Sequence, residues 1–163
     1  MTADYHRLAE QAATLIRQAP GFTEAMEGLC RLLAQEVPHY HWVGFYLPDP
    51  DTPRTLVLGP YMGAATEHTR IPYGRGVCGQ VAVSGQTKLV DDVTSEENYL
   101  SCSMDVRSEL VAPLVWQGCF LGQIDIDSHD PAAFTPADQA LVEGLCRLLA
   151  ATFPTPNDRR RSP

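Results

Sequence analysis

The sequence predicts a single α+β domain, in which helices near both ends flank a run of strands. Apolar residues recur at helical spacing in three segments: 5–18, 23–37 and 135–151. Between them, apolar segments come in pairs that are separated by turn residues, as hairpin strands are: 40–47 with 55–58, and 108–114 with 120–127. We expect residues 1–153 to form this domain and the polar residues 154–163 to be a disordered tail.

The sequence also contains the signals that end helices and turn strands. Pro20 and Gly21 end the first predicted helix, and Pro38 ends the second. Thr135 can cap the last helix, because its hydroxyl can accept a hydrogen bond from a free N–H group of the first turn. The first hairpin turns through the Pro- and Asp-rich segment 48–54.

The predicted elements between the two hairpins are shorter. Residues 59–69 are expected to be irregular, residues 77–83 to form a short helix, and residues 87–90 to form a strand. The polar segment 91–101 has no apolar period, so we expect a mobile loop there.

Composition and charge exclude several classes of protein. The chain of 163 residues has a net charge of −8, which leaves no basic surface for nucleic acid. No apolar run approaches the roughly 20 residues that span a membrane, and the first residues do not have the pattern of a signal peptide. The chain has five cysteines, an odd number that argues against a disulfide scaffold. We therefore expect a cytoplasmic protein with free thiols.

Two cysteines and three carboxylates form the candidate reaction site. Cys78 lies in a glycine-rich loop, where the backbone can turn sharply, and Cys102 follows the polar segment. Glu109 lies in one strand of the second hairpin. In the other strand, Asp125 and Asp127 alternate with isoleucines, so both carboxylates leave the sheet on the same face. A thiol near a helix N-terminus, as predicted for Cys78, has its thiolate stabilised by the exposed N–H groups.

Three other interpretations of this region stay open at the level of the residues. Residues 74–79 spell the G-x-G-x-x-G pattern of dinucleotide-binding loops, although the acidic residues that follow come too early and no βαβ unit is predicted around them. His68, Cys78 and Cys102 could bind zinc, although no closely spaced pair of ligands is present. Cys78 could also be a buried residue of a glycine turn, without chemical function.

An eight-residue sequence occurs twice, as Glu27–Ala34 and as Glu143–Ala150. Because the flanking residues differ, two amphipathic helices that pack against one sheet explain the repeat better than a duplicated domain does. We therefore expect Cys30 and Cys146 to be buried in the core, whereas Cys119 begins a strand and can be exposed.

Several motifs together resemble those of the free methionine-(R)-sulfoxide reductases, which are small enzymes built on a single GAF domain. They keep the order of that family: Trp42–Tyr46, Leu58–Tyr61, Arg70–Gly79, Cys102, Ser108–Glu109 and Ile124–Ser128. The resemblance covers roughly residues 5–151. It implies an α+β GAF fold, with a central antiparallel sheet, the N- and C-terminal helices packed on one face, and the ligand pocket on the other.

The resemblance also implies a role for each matched residue. Cys102 corresponds to the nucleophile that attacks the sulfoxide sulfur, and Cys78 to a catalytic thiol that can form a disulfide with it. Trp42 corresponds to the aromatic wall against the sulfoxide methyl group. Three residues correspond to the carboxylates that line the substrate pocket: Glu109, Asp125 and Asp127. The resemblance implies catalytic roles as well for Glu109 and Asp127.

The implied reaction is the thiol-dependent reduction of free L-methionine (R)-S-oxide to L-methionine. The resemblance implies no bound cofactor and no metal, with the disulfide recycled by an external thioredoxin and NADPH system. It also implies a homodimer, to which the two similar helices are plausible contributors.

The sequence departs from the family pattern at two positions. His68 stands where the family usually has a further cysteine, and Ser103 follows Cys102 where an aspartate is frequent. Cys78 is therefore the only matched disulfide partner for Cys102. A GAF sensory module that binds a small ligand without turnover is the alternative function, and the histidine at position 68 favours it.

Overall fold

The computed structural model describes residues 4–99 and 105–154. Within these ranges the chain forms four α-helices: α1 (Tyr5–Gln18), α2 (Phe22–Glu36), α3 (Gly76–Ser84) and α4 (Pro136–Thr152). It also forms six strands: β1 (Trp42–Pro48), β2 (Thr55–Met62), β3 (Arg70–Pro72), β4 (Lys88–Val90), β5 (Ser108–Trp116) and β6 (Cys119–Ser128). Most of the predicted tail, from residue 155 onward, lies outside the described residues. None of the described helices is both long and apolar enough to cross a membrane.

The six strands form one antiparallel sheet in the order β3-β2-β1-β6-β5-β4. Both predicted hairpins are present, as β1 with β2 and as β5 with β6. The two hairpins are joined side by side through β1 and β6, which are far apart in the sequence. This pairing brings the aromatic start of the first hairpin next to the acidic end of the second.

The helices divide between the two faces of the sheet. On one face, α1, α2 and α4 cover the larger apolar core, to which β1, β5 and β6 contribute their inward side chains. Cys30 and Cys146 belong to this core, as predicted. On the opposite face, α3 packs against the sheet in a smaller apolar cluster that includes Val77, Val81 and Val111. The predicted α+β architecture, with the terminal helices on one face, is confirmed.

The strand β2 is longer than the sequence predicted. It continues through Gly59 and Pro60 to Met62, although these residues were expected to begin an irregular segment. The β1–β2 register shifts between Gly44 and Tyr46, so Gly59 and Pro60 together face one residue of β1, as in a β-bulge. A bulge tolerates proline because the ladder is already interrupted there and the missing N–H is not required.

Asp138, in the first turn of α4, connects this helix to α1 and to the start of β1. A capping box joins it to Thr135, whose N–H donates to the Asp138 carboxylate at 2.7 Å. The same carboxylate accepts hydrogen bonds from the Tyr5 hydroxyl, from the Tyr40 hydroxyl at 2.8 Å and from His39 at 2.9 Å. Burial acts to raise the pKa of Asp138, but the hydrogen bonds from Thr135 and the two tyrosines outweigh it and hold the pKa below its ordinary value.

Replacing Asp138 with asparagine is expected to lower the free energy of unfolding at pH 7 by about 3 kcal/mol, because a charged acceptor of several buried donors is lost. The depressed pKa fixes the sign of the pH dependence. The contribution of Asp138 is fully present above the unfolded-state pKa of about 4 and is lost as pH falls through the lower folded-state pKa.

Urea unfolding at pH 7 and near pH 3 measures both effects. The difference between wild type and Asp138→Asn should be large at pH 7 and smaller in acid. Asp51→Asn, at an exposed carboxylate in the β1–β2 turn, is the matched control and should change little at either pH. A difference for Asp138→Asn that is independent of pH would contradict the assigned network.

Candidate active site

The register of the sheet brings Trp42 and two of the predicted carboxylates into one row. Trp42 of β1 lies opposite Asp127 of β6, which lies opposite Glu109 of β5. Asp125 is two residues before Asp127, so its side chain leaves the sheet on the same face. All three carboxylates are buried, with at most 3% of each residue exposed.

The helix α3 places Cys78 over these carboxylates. The Cys78 thiol donates a hydrogen bond to Oδ2 of Asp125 at 3.4 Å, and the Gln123 side-chain amide donates to the Cys78 carbonyl at 2.9 Å. Cys78 is 5% exposed and lies in the first turn of the helix, as predicted. The N-terminal end of the helix favours its thiolate, but the adjacent Asp125 carboxylate opposes it when ionised.

Burial raises the pKa of Asp125, and it outweighs the hydrogen bonds with Glu109, Cys78 and Asp127 that act to lower it. A carboxyl group with a raised pKa keeps its proton to higher pH and can donate it to a reacting group. Oδ1 of Asp125 is buried and accepts no hydrogen bond within the described part of the chain. The cluster therefore combines a thiol, a candidate proton donor and additional buried carboxylates.

The same cluster has donor atoms that could hold a metal ion. A sulfur of Cys78 and carboxylate oxygens of Glu109 and Asp125 lie within 4.8 Å of one another. Thiolate sulfur and carboxylate oxygen atoms are both ligands of zinc. This set differs from the combination with His68 and Cys102 that the sequence suggested, since carboxylates replace the histidine and the second cysteine.

Trp42 is held in a fixed position at the edge of this cluster. Its indole N–H donates to the Ala64 carbonyl at 3.0 Å, and its ring stacks on Tyr61 with the centroids 5.4 Å apart. A Cβ at Gly44 would lie 2.3 Å from the indole ring, so only glycine fits beneath it. Gly63, at a φ of 131°, likewise approaches the indole, where a Cβ would lie 2.6 Å from Cδ1 of the five-membered ring.

A cavity of about 110 Å³ opens beside Trp42 and Asp127. It is lined by seven described residues: His41, Trp42, Ala64, Asp105, Val106, Asp127 and His129. A larger surface groove of about 440 Å³ runs between α4, β5 and the segment after α3. None of the predicted site residues that the structure describes lines this groove, so the smaller cavity is the one relevant to the candidate chemistry.

The histidines at this cavity were not predicted from the sequence. His41 directly precedes β1, and His129 directly follows β6, so the antiparallel pairing of these strands brings the two residues together. Neither histidine is part of a recognisable motif. Knowledge that β1 and β6 pair would have been needed to find them.

The described part of the predicted mobile loop is tied to the glycine-rich loop. The Asn98 side chain accepts a hydrogen bond from the Gly76 N–H at 3.0 Å and donates to the Gly74 carbonyl at 2.7 Å. A 3-10 turn (Val93–Ser95) lies earlier in the segment, and its Val93 is buried. Asn98 thus helps to hold the loop that carries Cys78.

The remaining predicted residues have different environments. Cys102 and Ser103 lie outside the described residues. His68 is half-buried, and its carbonyl accepts a hydrogen bond from the Tyr46 hydroxyl at 2.8 Å. Cys119 is exposed, whereas burial raises the pKa of Cys30 to about 12 and makes it an unreactive thiol.

Comparisons with known proteins identify the family to which this chain belongs. Residues 22–153 match the model of the GAF domain. The free methionine-R-sulfoxide reductase of Escherichia coli (strain K12) is 34% identical over 149 residues, which make up 91% of this chain and 86% of that protein.

Solved structures agree with this assignment. The free methionine-R-sulfoxide reductase from Neisseria meningitidis, in complex with its substrate, is 33% identical and superposes with a TM-score of 0.87, covering 96% of this chain and 90% of that one. A protein from Burkholderia vietnamiensis that is presented as a GAF sensor is 33% identical, with a TM-score of 0.85 and 96% of both chains covered. The chain therefore has the GAF fold and belongs to the family of the free methionine-R-sulfoxide reductases.

Proposed function

We propose that this protein reduces free L-methionine (R)-S-oxide to L-methionine with its own thiols. The observation that carries the proposal is the buried cluster of Cys78 with Glu109, Asp125 and Asp127 beside Trp42. The named relatives in E. coli and N. meningitidis support the choice of substrate.

The first step is an attack by the Cys102 sulfur on the sulfoxide sulfur, a role that rests on the family resemblance. The oxygen passes to Cys102, which becomes a sulfenic acid, and methionine is released. The sulfoxide oxygen must be protonated as its bond to sulfur breaks. Asp125 is the proposed proton donor, because burial raises its pKa and so favours its protonated form.

The other carboxylates are proposed to recognise the substrate. Glu109 and Asp127 lie opposite each other on β5 and β6, and one of them can pair with the ammonium group of a free amino acid. Trp42 supplies an apolar surface for the S-methyl group. A cavity of about 110 Å³ favours a free amino acid over a methionine sulfoxide within a peptide.

The second step is proposed to regenerate the thiols through a disulfide. The Cys78 thiol condenses with the Cys102 sulfenic acid, forming an S–S bond and releasing the oxygen as water. Asp125, which gave up its proton in the first step, accepts a hydrogen bond from this thiol and can pass the thiol proton to the leaving oxygen. An external dithiol such as thioredoxin, itself reduced at the expense of NADPH, then exchanges with the disulfide. We further propose that the protein is cytoplasmic, as the sequence predicts, and a homodimer, as the family resemblance implies.

A coupled assay tests the proposal directly. Thioredoxin, thioredoxin reductase and free methionine sulfoxide should together support NADPH consumption that depends on the protein. The (R) epimer should be consumed and N-acetylated methionine sulfoxide should not, because acetylation removes the ammonium group. Failure to consume the free (R) epimer, by a folded and reduced protein, would contradict the proposal.

Binding without turnover is the second candidate function. It is favoured by His68 in place of the family's further cysteine and by the similarity to a protein presented as a GAF sensor. The same assay separates the two functions, since a sensory module would bind a small ligand but consume no NADPH.

Cys78→Ser is expected to complete one turnover and then to stop with thioredoxin as the reductant, because the sulfenic acid has lost its matched thiol. Methionine released per site, measured in a single-turnover experiment, should match wild type. Peptide mapping of oxidised wild type should show a Cys78–Cys102 disulfide, for which the two Cα atoms must come within about 7 Å.

Cys119→Ser is the control, because Cys119 is exposed and lies outside the carboxylate cluster. It should cycle as wild type does. Normal cycling by Cys78→Ser would show that Cys78 is not the thiol that forms the disulfide with Cys102. A disulfide that joins Cys102 to Cys119 would show the same.

A further inference from the structure

Two histidines stack at the cavity that leads to Asp127. The rings of His41 and His129 are parallel to within 3°, with their centroids 4.1 Å apart. Each residue is anchored at the end of a strand, since the His41 N–H donates to the Asp127 carbonyl at 3.0 Å and His129 follows β6 directly. Both rings line the same cavity as Trp42 and Asp127.

The hydrogen bonds of His41 fix its tautomer. Its Nδ1 accepts the backbone N–H of His129 at 3.0 Å and lies 3.4 Å from the Ser128 hydroxyl. A ring nitrogen that accepts an N–H bond carries no proton, so the proton of the neutral ring is on Nε2. Burial and the neighbouring His129 lower the pKa of His41, which keeps the ring neutral near pH 7. His41 therefore presents a fixed Nε2–H donor.

The lining of the cavity contains few other donors. Ala64 and Val106 are apolar, Asp105 and Asp127 are acceptors when ionised, and the indole N–H already donates to Ala64. Among the described side chains of this lining, only the two histidines can therefore donate hydrogen bonds to an anionic group. A ligand carboxylate placed elsewhere in the cavity would meet apolar or acidic side chains of this described lining.

The geometry points to His41 and His129 as the pair that binds the α-carboxylate of the amino-acid substrate. This inference rests on the proposed function, which requires a free amino acid with an ammonium and a carboxylate group. The ammonium and carboxylate groups of an amino acid share the Cα atom, so a carboxylate at the histidines places the ammonium close to them, and Asp127 lines the same cavity as its partner. The pair would then contribute to selection for a free α-carboxylate, in addition to the selection for a free ammonium.

The test compares free L-methionine (R)-S-oxide with its α-carboxamide, which keeps the ammonium group and lacks the carboxylate. Wild type should prefer the acid by roughly 10- to 100-fold in kcat/KM, the range expected for hydrogen bonds to a charged group. His129→Phe and His41→Phe keep an aromatic ring but remove the donors. Each should raise KM for the acid with kcat within about threefold of wild type, and the preference for acid over amide should fall toward 1 in the double variant.

His6→Phe is the matched control, at an exposed histidine of α1, and should keep the full preference. A merely structural role of the pair would lower activity on both substrates equally, and that result would overturn the inference. A wild type that reduces acid and amide equally well would also overturn it, while leaving the proposed function intact. A wild type that reduces neither substrate would overturn both proposals.

Discussion

Replacing Cys102 with serine is expected to abolish reduction of methionine sulfoxide and to leave the fold unchanged. Cys102 corresponds to the attacking residue of the family, and a serine hydroxyl is a far weaker nucleophile than a thiolate near neutral pH. Loss of a covalent nucleophile lowers turnover by a factor on the order of a thousand or more. Serine and cysteine differ by a single atom and have similar volumes, so we expect stability to change little.

The measurement is the amount of methionine formed in a single turnover, which does not depend on recycling by thioredoxin. Cys102→Ser should form none, whereas Cys78→Ser should form one equivalent per site. This contrast separates the nucleophile from the thiol that regenerates it. Substantial methionine formation by Cys102→Ser would move the nucleophile to another cysteine, and Cys78 would be the first candidate because of its contact with Asp125.

Elements with a strong local pattern could be predicted from the sequence. The helices α1 and α4 have apolar residues at helical spacing, and the Gln117–Gly118 turn gives the β5–β6 hairpin its position. The end of β2 could not be predicted, because Gly59 and Pro60 are turn residues by composition. They remain in the strand only because a bulge against β1 accommodates them.

The site divides in the same way between local and non-local information. The shared face of Asp125 and Asp127 follows from strand alternation alone. Their position beside Trp42 depends on the pairing of β1 with β6, which no local pattern specifies. The stacked histidines depend on the same pairing and carry no motif, so the sequence alone could not single them out.

Asp125→Asn is expected to lower kcat/KM by roughly 10- to 1000-fold, because the proposed proton donor is replaced by an amide that cannot supply a proton. Asp127→Asn and Glu109→Gln should give losses in the same range, through weaker binding of the substrate ammonium. The pH profile distinguishes these roles. Since burial raises the pKa of Asp125, wild-type activity should fall as pH rises through that pKa, and Asp125→Asn should lose this limb.

The same raised pKa predicts that Asp125→Asn, although it lowers activity, becomes more stable relative to wild type as pH rises. A carboxyl group whose folded-state pKa lies above its unfolded-state value makes the folded state less stable as pH rises past about 4, because the folded chain holds a proton that the unfolded chain releases. The asparagine variant has no such proton to lose, so in urea unfolding its stability relative to wild type should increase from acid to neutral pH. Asp51→Asn, at an exposed carboxylate, should show no such trend. The contradicting result is an inactive Asp125→Asn variant whose stability relative to wild type falls from acidic to neutral pH. That result would show that the Asp125 carboxylate is ionised in the folded protein and is not the proton donor.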